Sequence, residues 1–218
     1  MELISINLAR LVSFLEVQAL DPFGRTSELG VFNNVGSRYS FSKVPQTFAE
    51  IDLTKGVELI AGKLGDINID KLAFYPKGIV IDTRSSTDDC LKVLHDLLSQ
   101  ARELFGATIT PSRQNLVSQI VFRSSLRLSL LNPLLQPVAD QIEAAVSDGL
   151  RQSVMYEPTA VLWAPDLSQI KLAPVVFSIE RRADIPFSEN TYFSSAPLGT
   201  NAHLEMLQKI EASLLPRS

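Results

Sequence analysis

The stretch that decides the fold runs from Leu72 to Gly106 and reads LAFYPKGIVIDTRSSTDDCLKVLHDLLSQARELFG. Its first part alternates apolar and other residues on both sides of Pro76-Lys77-Gly78, a pattern that predicts two strands joined by a tight turn. After Ile81 the apolar residues recur at spacings of three and four, which predicts an amphipathic helix. We therefore expect a hairpin whose apolar face is covered by this helix.

The ends of the predicted helix carry capping signals. Ser85, Ser86 or Thr87 can accept hydrogen bonds from its first backbone N–H groups. Gly106 stands where a left-handed residue commonly ends a helix. The helix is therefore expected to span the residues between these two signals.

The rest of the first half is harder to interpret. Residues 3–17 place apolar side chains at helical spacing, and their β-branched content also permits a strand, so helix is our first interpretation and strand the second. Residues 21–37, rich in glycine and asparagine, are predicted to form a loop. Strands are predicted for residues 38–44, 56–61 and 67–69.

The second half repeats the order of strands followed by a helix. We predict a connector at residues 107–112, strands at 116–122, 159–163, 175–180 and 191–194, a helix that begins at Asn132-Pro133, and a last helix through Leu204 and Leu214. The predicted fold class is α+β, with two subdomains, residues 1–110 and 111–218, each a mostly antiparallel sheet covered by amphipathic helices. A distant internal duplication would explain the repeated order. The main alternative is a single continuous sheet that crosses both halves.

Composition narrows the classes of function. The chain of 218 residues has 20 basic and 24 acidic side chains and a pI near 5.3, which argues against nucleic-acid binding. Cys90 is the lone cysteine, so a disulfide framework and a multi-cysteine zinc site are excluded. No secretory signal or apolar run long enough to span a membrane is present, and we expect a cytoplasmic protein with no membrane association.

The sequence carries no motif of a known catalytic or cofactor site. Spacings typical of metal ligands and the nucleophile elbow of hydrolases are missing, and we predict no cofactor, no metal and no catalytic residue. His95 and Cys90 lie about 140° apart on one helix and do not face each other. His203, in the first turn of the last helix, could act as a base, but no carboxylate is obviously directed at it.

Two groups of residues are speculative anion contacts. The first group, Arg84, Ser85 and Ser86, lies between a predicted strand and the start of a predicted helix. Backbone N–H groups, hydroxyls and a guanidinium come together there and could bind an anion. Capping of the helix needs the same hydroxyls, so capping is the alternative interpretation. Arg181 and Arg182 end an apolar strand with a cluster of charge.

Our leading hypothesis is a non-catalytic protein–protein interaction or assembly module of an intracellular complex, with a protein partner or a homo-oligomer. Phe23, Phe32 and Phe187 lie in segments that favour exposure and could anchor a partner, or else could fill the edges of the protein's own core. The alternative is a sensor or enzyme for a small anionic ligand, with a site between the two halves formed by Arg84, Ser85, Arg181 and Arg182.

Overall fold

The computed structural model describes residues 1–19, 27–125, 127–169 and 173–214, and these residues form a mixed α and β fold. Within these ranges the eight strands are β1 Glu2–Ala19, β2 Val57–Leu64, β3 Ile67–Tyr75, β4 Gly78–Thr83, β5 Thr108–Arg123, β6 Ala160–Trp163, β7 Phe177–Arg181 and β8 Thr191–Ala196. The four α-helices of the same ranges are α1 Glu28–Arg38, α2 Thr87–Phe105, α3 Gln136–Leu150 and α4 Thr200–Leu214. The predicted α+β class is confirmed.

The eight described strands belong to one antiparallel sheet, in the order β2-β3-β4-β1-β5-β8-β7-β6. A single sheet was the alternative that the sequence left open. By contacts, the chain forms two compact units: the N-terminal unit (residues 6–118 and 197–201) and the C-terminal unit (residues 1–5, 119–196 and 202–218). The boundary near residue 110 and the duplication stay predictions.

The predicted hairpin and its helix are confirmed. Strands β3 and β4 pair in the register Tyr75↔Gly78 and Leu72↔Ile81. A Cβ atom at Gly78 would lie 2.8 Å from the backbone oxygen of Ser13, so the neighbouring strand leaves room only for glycine. The two predicted caps of α2 form as well: Ser86 accepts a hydrogen bond from the N–H of Asp89 at 3.1 Å, and Gly106 has a φ of 65°.

The core of the N-terminal unit lies between this part of the sheet and helices α1 and α2. Its fully buried side chains include Leu11, Leu59, Leu72, Ile81 and Leu94. These side chains come from segments far apart in the sequence, so the core holds the hairpin, β1 and α2 together.

The loop predicted for residues 21–37 is wrong over the described part, because α1 occupies Glu28–Arg38. Ser27 caps the helix by accepting a hydrogen bond from Gly30 N at 3.2 Å. Its glycines and asparagines suggested a loop, but Phe32 and Val35 are buried at helical spacing. A Cβ atom at Gly36 would lie 2.6 Å from a methyl carbon of Val44, so this glycine permits close packing. Tertiary contact therefore overrides a weak helix propensity.

Three other expectations for the chain are wrong. For residues 3–17 the first interpretation, a helix, is wrong and the second, a strand, is confirmed: they form β1, in which Ala9, Leu11 and Ser13 are buried in alternation. Residues 38–44 form only one isolated bridge, Lys43↔Ile60, and Ser40 has a left-handed φ of 51°. The expected connector at residues 107–112 belongs to β5, which begins at Thr108.

The C-terminal unit contains fewer buried apolar side chains among its described residues. Its buried apolar or aromatic side chains include Ile120, Phe122, Ile179, Tyr192 and Leu207. Polar side chains are buried there as well, among them Arg181, Ser194 and His203. The three predicted strands β6, β7 and β8 are present; β6 pairs with β7 and β7 pairs with β8, both antiparallel. None of the described helices of the chain is long and apolar enough to cross a membrane.

Candidate functional site

The serines and arginine before α2 already have partners within the chain. The Nε of Arg84 lies 2.9 Å from an oxygen of Asp70, and the hydroxyl of Ser85 donates to the Oγ1 of Thr83 at 3.4 Å. Ser86 accepts the capping hydrogen bond described above. The first N–H of α2, on Thr87, donates to the Oγ1 of Thr200 at 3.0 Å. These groups therefore stabilise the start of α2, and this geometry favours the capping interpretation over an anion site.

Arg181 is buried, with 7% of its surface exposed, and it organises the end of β7. Its Nη2 lies 2.8 Å from a carboxylate oxygen of Glu157, and its Nη1 donates to the backbone oxygen of Phe187 at 2.8 Å. The guanidinium also lies 4.7 Å from the ring centre of Phe187 and 5.2 Å from that of Tyr192. Such a network fixes the strand end and leaves this cation compensated.

Arg182 is paired with Asp184 at 2.9 Å. Arg84 and the Arg181–Arg182 pair belong to different units, and each guanidinium has its own carboxylate. The anion-ligand hypothesis is not favoured by any of these contacts and stays a prediction.

The three predicted anchor residues have different positions. Phe32 is 5% exposed and its ring meets that of Phe74 edge-on, with centroids 5.3 Å apart, so it contributes to the core. Phe187 is half-buried beneath Arg181. Phe23 lies outside the described residues. The structure thus gives Phe32 and Phe187 roles inside the fold, and we do not use them as anchors below.

A serine and a histidine that the sequence did not connect are hydrogen-bonded in the C-terminal unit. The Nε2 of His203 lies 2.8 Å from the Oγ of Ser194, which itself donates to the backbone oxygen of Ser178 at 2.6 Å. This arrangement assigns the ring proton to Nε2 and leaves Nδ1 as an acceptor, for which no described residue is a hydrogen-bond partner. Burial lowers the pKa of His203 to about 4, because the charged imidazolium is disfavoured away from water. Since Ser194 and His203 are both 0% exposed, the pair is closed to a substrate and supports the packing of α4.

Cys90 is also unsuited to chemistry. It is 0% exposed, and its Sγ donates to the backbone oxygen of Ala9 at 3.3 Å. Burial raises the pKa of its thiol to about 11, so the reactive thiolate is scarce at neutral pH. Within the described ranges, no three His, Cys, Asp or Glu side chains are grouped so that they could hold a metal ion.

An exposed apolar surface lies on α3 and the turn before it. We name it the α3 surface and define it as Leu134, Leu135, Val138 and Ile142, whose exposed fractions are 79%, 37%, 52% and 42%. Ala139 is the buried residue of this helix. The apolar side that a predicted amphipathic helix implies is therefore present, but the described residues leave most of it uncovered, a situation typical of an interaction site.

A cavity of about 230 Å³ lies in the N-terminal unit, and we name it the α1–α2 cavity. Its lining is mostly apolar and includes Phe32 and Val35 of α1, Leu97 and Ala101 of α2, and Ile109 of β5. Gln100 is also one of the lining residues; it is 7% exposed, and its buried Oε1 has no hydrogen-bond partner among the residues that the structure describes. Sequence reasoning missed the cavity, because no local pattern distinguishes Gln100 from other polar residues of a helix.

No protein-family model matches the chain, and no curated protein has a significantly similar sequence. The functional argument below therefore depends on the residues and their geometry.

Proposed function

We propose that this chain is a non-catalytic interaction protein that binds a protein partner through the α3 surface. The observation that carries the proposal is the uncovered apolar side of α3, where Val138 and Ile142 are about half exposed. Exposing neighbouring aliphatic side chains to water is unfavourable, at roughly 25 cal/mol per Å² of apolar surface. A partner that covers the α3 surface would recover this free energy.

The charges of α3 indicate what kind of partner fits. The helix carries Asp140, Glu143 and Asp148, and its sequence QPVADQIEAAVSDGL contains no lysine or arginine. Two copies of α3 packed against each other would bring acidic side chains together, which is unfavourable. We therefore favour a different protein with an apolar surface bordered by basic residues. Self-association through another surface, the homo-oligomer expected from the sequence, stays a prediction.

A second exposed feature of the C-terminal unit supports the same proposal. Strand β6 is at the end of the strand order, and Leu162 and Trp163 are 60% and 44% exposed. An edge strand offers backbone N–H and C=O groups that can pair with a strand of another protein.

The cellular setting and domain history are also proposals. We place the interaction in the cytoplasm, because a chain with one buried cysteine makes no use of an oxidising compartment. Two α+β subdomains related by duplication would explain why each half of the sequence ends in an amphipathic helix.

Site-specific photo-crosslinking in the cells that produce the protein tests the proposal. We would place p-benzoylphenylalanine at position 138, on the α3 surface, and at position 144 as the matched control. Ala144 is exposed on the same helix, and its angular position is about 120° from that of Val138. We expect a discrete adduct from position 138 and none from position 144.

The mass of the adduct identifies the partner. An adduct of twice the mass of the chain would mean that the α3 surface binds a second copy of this chain. That result would contradict the argument from the acidic charges of α3, but the protein would still be an interaction protein. Equal adducts from both positions, or no adduct from position 138, would contradict the proposal. Light scattering over a concentration series checks self-association independently.

A further inference from the structure

Strand β6 forms one end of the strand order, and its pairing with β7 shows which of its backbone groups face away from the sheet. The N–H of Arg181 donates to the backbone oxygen of Thr159 at 2.7 Å, and these two residues are opposite each other in the register of β6 and β7. In an antiparallel pair, residues hydrogen-bonded to the neighbouring strand alternate with residues whose N–H and C=O point away from it. Ala160 and Leu162 are of the second kind, so their backbone groups point to the outer edge of β6.

The outer edge of β6 has no partner strand among the residues that the structure describes, whereas β2, at the other end of the strand order, is partly covered. Ile60 of β2 accepts a hydrogen bond from the N–H of Ser42 at 3.1 Å and donates to the backbone oxygen of Lys43 at 3.2 Å. Strand β2 also carries Glu58 and Lys63, whereas β6, with the sequence AVLW, contains neither a charged residue nor proline. Charge, proline and covering segments usually keep an edge from pairing, so β6 lacks this protection apart from its short length of four residues.

The side chains of β6 indicate what an added strand would carry. The ring of Trp163 meets that of Phe177 edge-on, with centroids 5.2 Å apart, so Trp163 continues an apolar row on one side of the sheet. Leu162 is on the opposite side of the sheet and is 60% exposed, and Trp163 is 44% exposed. Because side chains on adjacent strands pack in cross-strand pairs, apolar side chains of an added strand would cover both residues.

Acidic side chains lie at both ends of this edge. Glu180 is opposite Ala160 in the register with β7, and Asp166 is exposed in the loop that follows β6. A segment with lysine or arginine beside its apolar residues would be attracted to these carboxylates. This charge agrees with that of α3, for which we proposed a partner with basic residues.

We infer that the partner protein adds an extended segment to the outer edge of β6, through backbone hydrogen bonds with Ala160 and Leu162. The segment has apolar side chains in alternation and carries lysine or arginine. Addition of a strand to an exposed sheet edge is a common mode of peptide recognition. The four residues of β6 span about 13 Å, so a partner segment of about the same length is enough. The inference rests on the proposed interaction function and names the way in which the partner binds.

Photo-crosslinking in the cells that produce the protein tests whether a partner occupies this edge. We would place p-benzoylphenylalanine at position 162 and, as the matched control, at position 48, because Leu162 and Phe48 are similarly exposed, at 60% and 62%. We expect an adduct with a different protein from position 162 and none from position 48. No adduct from position 162, equal adducts from both positions, or an adduct of twice the mass of the chain would overturn the inference. If position 138 gives its adduct and position 162 gives none, the proposed function is retained and the inference fails.

A proline at position 162 tests whether the backbone makes the contact. The N–H of Leu162 faces away from β7, so Leu162→Pro removes an outward donor and leaves the pairing of β6 with β7 intact. Leu162→Ala is the matched control, because it shortens the side chain and keeps the N–H. With the crosslinker at position 164, directly after β6, we expect the adduct to decrease about fivefold or more in Leu162→Pro relative to Leu162→Ala, the effect of losing one hydrogen bond. Equal yields in the two variants would mean that only side chains are in contact, and would overturn the inference.

The test does not depend on Leu162→Pro folding, which circular dichroism checks. Ala160→Pro removes the other outward N–H of β6 and is compared with Ala160→Ser in the same way. The comparison of positions 162 and 48 uses the unaltered backbone, and its outcome alone is sufficient to overturn the inference.

Discussion

Helices α2 and α3 have similar apolar periodicity in the sequence and different surroundings in the fold. In the 19 residues of α2, seven are buried, among them Val93, Leu94 and Leu97. In the 15 residues of α3, Ala139 is the buried one, and Val138 is 52% exposed. The comparison shows that an amphipathic pattern predicts a helix with an apolar side, but does not tell whether the chain itself covers that side.

The largest difference that we expect between the two helices is in the free energy of unfolding that is lost when an apolar side chain is truncated. Leu94→Ala should lower the free energy of unfolding by about 4 kcal/mol, because it leaves a cavity in a packed core. Val138→Ala should change it by no more than about 0.5 kcal/mol, since the side chain is already half exposed. Urea unfolding followed by circular dichroism measures both. A cost of several kcal/mol for Val138→Ala would mean that the chain covers the α3 surface itself.

The second prediction tests whether the C-terminal unit depends on polar contacts where the N-terminal unit uses apolar packing. Arg181→Met should lower the free energy of unfolding by about 3 kcal/mol, because it leaves the partly buried carboxylate of Glu157 without its counter-ion. Arg182→Met is the matched control: its ion pair with Asp184 is exposed to solvent, and we expect a much smaller loss of stability than for Arg181→Met. Similar losses in the two variants, measured by thermal unfolding, would rule out a special role for Arg181.

The third prediction concerns pH and the buried His203 of α4. Its folded-state pKa, lowered to about 4 by burial, is below the ordinary value near 6.5, so the unfolded chain binds more protons between these values. Stability should therefore fall as the pH decreases, by about 2 kcal/mol between pH 7 and pH 5. The ordinary pKa values of aspartate and glutamate side chains, near 4, lie below the range from pH 7 to pH 5.

His203→Gln is the control for this prediction, because glutamine keeps a polar group near Ser194 and does not titrate. Unfolding by urea at pH 7, 6 and 5 should show a smaller decrease in stability for the variant than for the wild type. Parallel decreases in the two proteins would assign the pH dependence to other groups.

The smallest effects are expected at the ends of the two helices, and they should have opposite signs. Helix α2 ends at Gly106 with a φ of 65°, whereas α3 ends at Arg151 with a φ of 51°. A residue with a side chain is less stable than glycine in this left-handed conformation, by about 1 kcal/mol. Gly106→Ala should thus destabilise the protein by about that amount, and Arg151→Gly should stabilise it. Differential scanning calorimetry measures both, and changes of the same sign would show that the caps do not control these helix ends.

The fold was predictable where local signals agree. The turn at Pro76-Lys77-Gly78, the cap at Ser86 and the left-handed Gly106 each depend on a few neighbouring residues, and all three are confirmed. For β1 the sequence left helix and strand both open, with helix preferred, because its apolar residues fit both periods. Its pairing with β4, Ala9↔Thr83 and Leu11↔Ile81, joins residues about 70 positions apart in the sequence.

The candidate sites were less predictable than the fold. The amphipathic character of α3 was predictable from the sequence, but the exposure of its apolar side was not, because burial depends on every segment that packs nearby. Ser194 and His203 lie on different elements, and nothing in either segment indicates that they meet. For Gln100, the informative fact is that its buried Oε1 lacks a partner among the described residues, which only the packed structure can show.

The sequence by itself determined the class of the fold, the hairpin with α2, the amphipathic character of α3 and the lack of recognisable catalytic motifs. Only the tertiary structure decided that β1 is a strand, that residues 28–38 form a helix, that the strands join in one sheet, and that α3 and the outer edge of β6 are the candidate sites. The physical reason is the range of the interactions. Caps, turns and periodicity act between residues close in sequence, whereas burial and the pairing of polar groups depend on segments that folding brings together.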